Sequence, residues 1–144
     1  MVKIEHSFEL DCDEKKFLKI LTDYNNLSSY LPRKLQNLEI LEEHDDSITL
    51  NVTILLRTLI KKEFSQKIKI EKKSENNLFI EILDGFAKDT NISIFISKQK
   101  EKVLCKVNSD VKLSLKTVIL LPIIKREYNS FVSGIFRKIS KDAK

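Results

Sequence analysis

Four polar residues stand on otherwise apolar faces of this 144-residue sequence, and they carry most of the chemistry it offers. His6 falls on the apolar side of the alternating segment Val2, Ile4, His6, Phe8, Leu10. Gln66 shares a side with Phe64, Ile68 and Ile70, and Ser109 interrupts the series Val103, Cys105, Val107, Val111. Tyr128 lies in an apolar stripe of helical spacing. A polar group removed from water needs a hydrogen bond from protein, water or ligand. Four such groups turned into one space would be anchors in an apolar pocket; for each of them, ordinary core packing with an internal partner is the alternative. His6 as base and Tyr128 as proton donor would also suit an aldol-type cyclisation, which moves protons at a positioned carbonyl compound. No carboxylate is expected on the inward faces to orient His6, so the reading leans away from an enzyme and assigns no catalytic residue.

Other chemistries lack their residues. His6, His44, Cys12 and Cys105 have no metal-ligand spacing. Neither cysteine has an activating motif, and two glycines leave no phosphate or dinucleotide loop. No cofactor is therefore expected. Two distant cysteines make no disulfide framework, and the start is charged from Lys3, so a cytoplasmic location is expected. The longest apolar run, Val118 to Ile124, is broken by Pro122 and falls far short of the roughly 20 residues of a membrane span, so the chain reads as soluble.

The elements that must position these residues follow from periodicity. The length predicts one domain over 1–144. Residues 2–10 alternate as a half-buried strand. Asp11 is expected to cap a helix over about 12–23, with Glu14 reaching back to it and Phe17, Leu18, Leu21 and Tyr24 on its inner side. Asn25 would cap a second, short helix carrying Leu27, Tyr30 and Leu31, which Pro32 ends. From about 36 to 116 six strands follow, each with one apolar and one polar face, the mark of an antiparallel sheet covered on one side. The cover is a long C-terminal helix, on which Leu121, Ile124, Tyr128, Phe131, Val132, Ile135 and Ile139 recur at i, i+3, i+4, i+7. The predicted class is α+β, in the order β-α-α-β6-α, a curved antiparallel sheet around that helix.

Charge is unevenly placed. Residues 119–144 hold six basic and two acidic groups, against 20 and 19 in the rest of the chain. Arg126, Arg137, Lys141 and Lys144 project opposite the apolar stripe, so they are expected in water. From there they could touch an anionic membrane or a ribosome transiently. No DNA partner is expected, and no aromatic residues interleave with these bases to stack on RNA.

The element order, with Thr22-Asp23-Tyr24-Asn25-Asn26-Leu27-Ser28-Ser29-Tyr30-Leu31-Pro32, resembles the START-like (SRPBCC, helix-grip) superfamily over essentially the whole chain. Within it the sequence looks most like the polyketide cyclase/dehydrase and coenzyme-Q-binding branch. Ile82-Leu83-Asp84-Gly85-Phe86 is similar to the Gly-Pro-Phe turn of the quinone-binding members. Pro32-Arg33-Lys34 and the absence of Trp depart from those members. The resemblance implies binding or carriage of a lipid, quinone or polyketide-like molecule between sheet and helix. The alternatives are a polyketide cyclase-like enzyme and a ribosome- or RNA-associated protein. Under the alternation above, the inward residues are Ile54, Leu56, Gln66, Ile68, Ile80, Ile94, Val107, Ser109 and Val111, with His6 from the first strand. The helix adds Tyr128, Phe131 and Ile135, and Tyr30 and Leu31 would form a lid.

Overall fold

The computed structural model describes residues 2–30, 35–56, 62–85, 87–113, 118–119 and 121–144, of which 56 and 62–64 as backbone only. Strand β1 (Val2–Leu10) leads into helix α1 (Glu14–Leu21) and a 3-10 turn (Leu27–Tyr30). Six strands follow: β2 (Leu35–Glu43), β3 (Ser47–Leu56), β4 (Lys62–Ser74), β5 (Asn77–Ile82), β6 (Asn91–Gln99) and β7 (Lys102–Val111). Helix α2 (Leu121–Asp142) comes last. The strands form one sheet in the order β1-β7-β6-β5-β4-β3-β2, every neighbouring pair antiparallel. This is the expected β-α-α-β6-α architecture.

The alternation in the sequence is what assigns the two faces. Along β7, Val103, Cys105, Val107, Ser109 and Val111 are all buried, while Lys102, Lys106 and Asn108 are exposed. Register carries the same side across the sheet: Val107 lies opposite both His6 and Ile94, Ile94 opposite Leu78, and Ile82 opposite Ile68. One strand cannot slip by a residue without turning its own share of this set outward.

Four local expectations are corrected. The cap of α1 is Asp13, not Asp11: its carboxylate accepts from the Lys16 N–H at 3.0 Å, which leaves Glu14 at the first helical position and no reciprocal capping pair. The second helix is only the four-residue 3-10 turn, and Asn26 rather than Asn25 organises it. The Asn26 carbonyl accepts from both the N–H and the hydroxyl of Ser29, and its amide donates to Asp23. Strand β7 ends at Val111, because β1 and β6 stop pairing there and the Thr90 hydroxyl takes the Lys112 N–H at 3.0 Å. Leu115 lies outside the described residues. Strand β2, expected over 36–44 around Leu38, Ile40 and Leu41, runs from Leu35 to Glu43, and a register shift between Ile40 and Glu42 leaves Leu41 exposed.

The buried residues of α2 lie in its C-terminal half. Val132, Ile135, Phe136 and Ile139 are buried there, against Phe17 and Leu21 of α1 and against Val103, Cys105 and Val107 of β7. The Phe136 ring meets Phe8 and Phe17 edge-on, with centroids 5.6 and 5.7 Å apart, a favoured aromatic geometry. Off the apolar stripe, Arg126, Arg137, Lys141 and Lys144 are exposed, the last three beside β1. The groove between β1 and that end of α2 also holds Glu9 and Asp11, which offset the local positive charge.

Burial raises the Cys105 thiol to about 12, with proximity to Cys12 adding to the effect. The folded state therefore holds the neutral thiol, whereas the unfolded chain gives up this proton near the ordinary value of 9.0. Stability from this group is complete below pH 9.0 and is lost as pH rises toward 12. Thermal melts by circular dichroism should show Tm falling across that window. In Cys105→Ala the fall should be shallower, although the variant starts about 1–2 kcal/mol less stable at neutral pH for the small void it leaves.

Candidate ligand cavity

Between the inner face of the sheet and the N-terminal half of α2 lies a cavity of about 270 Å³. Its floor is the inward aliphatic row of β3 to β7, from Val52 and Ile54 through Ile68, Ile80, Ile82, Ile92 and Ile94 to Val107 and Val111. Ile124, Tyr128, Phe131 and Ile135 of α2 form the roof, and Leu21, Tyr24 and Leu27 close one side. The β-branched residues that favour strand geometry are thus also the ones that line the space.

The structure brings together ten of the expected inward residues. Ile54, Gln66, Ile68, Ile80, Ile94, Val107, Val111, Tyr128, Phe131 and Ile135 all line the cavity. Two of the expected polar residues stand behind the wall instead. Ser109 is buried, with its hydroxyl 2.6 Å from that of Tyr128. His6 packs its ring against Tyr128 with centroids 5.6 Å apart and against Phe8 at 6.0 Å. Its Nδ1 is buried and has no hydrogen-bond partner among the described residues. Tyr30 is not a lid: its hydroxyl donates to Asp142 at 2.9 Å, at the opposite, C-terminal end of α2. Leu31 and the side chain of Leu56 lie outside the described residues.

Sequence reasoning missed several wall residues. Tyr24 follows Leu21 by three, and this helical spacing was the available signal. Thr90 continues the period-two series of Ile92 and Ile94 backwards. Glu127 adjoins Tyr128 and follows Ile124 by three, placing it on the shoulder of the stripe. The part played by Gly85, behind Gln66, could be found only from the structure. Its φ of +103° is open to glycine, and a β-carbon there would stand 2.8 Å from Gln66 Cγ and 3.1 Å from the Ser65 carbonyl oxygen.

The titratable rings of the site are neutral near pH 7. Burial raises the Tyr128 phenol above its usual range, and the Ser109 hydrogen bond only partly opposes this. Burial lowers the His6 imidazole. The Tyr24 phenol is pushed up to about 12 by burial. His6 meets Tyr128 ring to ring, and the hydrogen bond of the Tyr128 hydroxyl goes to Ser109. The pair is therefore not arranged as a base and proton donor across a substrate, since His6 does not reach the wall. Among the described residues, no group of three or more His, Cys, Asp or Glu is placed to hold a metal ion. No helix among them is long and apolar enough to cross a membrane.

No protein-family model matches the chain, and no curated protein matches it in sequence. Solved structures do match in shape. The protein TTHA0849 from Thermus thermophilus superposes with a TM-score of 0.81 at 11% identity, over 99% of this chain and 100% of its own. A START superfamily protein from Mycobacterium smegmatis gives 0.79 at 12% identity, over 96% and 97%. The chain has the START-like helix-grip fold. The Zhui aromatase/cyclase from a Streptomyces species shares this START-like fold, with a TM-score of 0.77 at 8% identity over 99% and 96% of the two chains.

The Ser109–Tyr128 pair is open to a double-mutant cycle. Tyr128→Phe and Ser109→Ala each leave one buried hydroxyl unpaired, so each should cost about 1–2 kcal/mol in urea unfolding. The double variant should cost less than the two single costs added together, with a coupling of about 1 kcal/mol.

Proposed function

We propose that this protein binds or carries a hydrophobic small molecule in the cavity between the sheet and α2. The observation that carries the reading is the cavity itself: about 270 Å³ of space behind a wall of aliphatic and aromatic side chains. Small-molecule sites start near about 300 Å³, and their walls are mostly apolar with a few placed polar groups. Each apolar contact returns roughly 25 cal/mol per Å² of ligand and wall removed from water, so a greasy ligand needs few polar contacts to be held. Lipids, quinones and polyketide-like aromatics are the classes to test, the last being favoured by the likeness in fold to an aromatase/cyclase.

A carrier fits this site better than a catalyst does. The residues best suited to proton transfer are not arranged for it: His6 is set behind the wall, and the Tyr128 hydroxyl is hydrogen-bonded to Ser109. Native mass spectrometry of the purified protein, with organic extraction of what co-purifies, should return an apolar small molecule. Filling the space with Ile80→Trp should weaken binding of an environment-sensitive apolar dye about tenfold or more, with Tm changed by only a few degrees. If nothing is extracted, and quinones, fatty chains, polyketide-like aromatics and the dye all fail to bind, the reading is wrong.

A further inference from the structure

Gln66 is an unusual residue for its place. It is only 7% exposed, points inward from β4 between Phe64 and Ile68 in sequence, and lines the cavity. Glutamine is rarely this buried, and it is normally hydrogen-bonded when it is. Here its Oε1 is buried without a partner among the described residues. An apolar side chain of similar length would fill the position without that penalty. Two other polar wall groups are engaged: Thr90 with the Lys112 backbone and Tyr128 with Ser109.

The Asp84-Gly85 turn holds Gln66 where it is. The Gly85 backbone lies against the Gln66 stem so closely that a β-carbon would stand 2.8 Å from Cγ and 3.4 Å from Cβ. The turn is itself braced by the Gly85 N–H on the Asp84 carboxylate at 2.8 Å and by the Leu83 N–H on the Lys67 carbonyl at 2.7 Å. A left-handed glycine, a braced turn and an unpaired buried carboxamide oxygen together describe a polar group pressed into a set direction.

From this geometry we infer that Gln66 determines ligand specificity, and that the ligand is an uncharged amphiphile whose hydroxyl, or a comparable neutral head, meets the Gln66 carboxamide. The inference rests on the carrier reading and refines it. A hydroxyl donates to Oε1 or accepts from Nε2, so it answers a carboxamide in either orientation. A carboxylate does not fit as well, because no Lys, Arg or His is among the described wall residues, and an unpaired buried charge is far more costly than a neutral dipole.

The test is competition for the apolar dye by decanol, decanoate and decane at pH 8, with wild type, Gln66→Leu and Gln66→Met. Wild type should take decanol about tenfold or more tighter than decanoate. Both variants should lose about tenfold in decanol affinity, keep their affinity for decane, and melt a few degrees higher than wild type, since each removes an unpaired buried group. Two variants of different shape guard against one that does not fold. If dye and decane bind but decanol is indifferent to both substitutions, or decanoate equals decanol, or both variants melt lower, Gln66 is a structural residue and this inference falls while the carrier reading stands. If none of the four probes binds wild type, the carrier reading falls with it.

Discussion

The clamp on the C-terminal half of α2 is the constraint from which the rest of the arrangement follows. Three polar ties hold that end. The Asp13 N–H donates to the Ala143 carbonyl at 2.8 Å, the Lys16 ammonium to the Lys144 carbonyl at 3.2 Å, and the Tyr30 hydroxyl to Asp142 at 2.9 Å. Around them Phe136 is gripped edge-on by Phe8 and Phe17, and Ile139 is fully buried. A 22-residue helix is a rod about 33 Å long, while the sheet beneath it twists. A straight rod seated at one end of a twisted surface cannot stay in contact along its whole length. Ile124, Tyr128 and Phe131 are accordingly only half-buried, and the cavity lies under them.

The clamp also sorts the polar residues into two kinds. At the seated end polar groups are tied to one another and to the chain terminus. Under the N-terminal half of α2 the hydroxyls of Thr90 and Tyr128 are satisfied by protein, while the Gln66 carboxamide oxygen is left without a partner among the described residues. Natural proteins tolerate such a local fault where function requires it, and the loss is made up elsewhere in the core. Val103, Cys105 and Val107 belong to the buried core that offsets it.

Much of this was legible in the residue order, for a simple reason. Period-two and period-3.6 patterns are properties of the backbone, so they reveal which side of each element is apolar before any contact is known. That is why Ile54, Ile68, Ile80, Ile94, Phe131 and Ile135 could be named as inward, and why Arg137 and Lys141 could be placed in water. Errors arose where a choice between near neighbours depends on tertiary contacts. Asp11 and Asp13 are equally good caps by type, but Asp13 alone has its N–H on the carbonyl of Ala143, at the far end of the chain. β7 ends where its partners end, which the alternation through Leu113 could not signal.

By itself, then, the sequence determined the elements, their apolar faces and the order β-α-α-β6-α, because these depend on local spacing alone. Tertiary structure decided depth and partnership. Inward-facing His6 and Ser109 ended behind the wall while Gln66 reached it, and Tyr30 was drawn to Asp142 rather than over the cavity. It also decided that the space beneath α2 is a cavity and not a filled core. Both outcomes turn on where a rigid helix is pinned to a twisted sheet, and no periodicity records that.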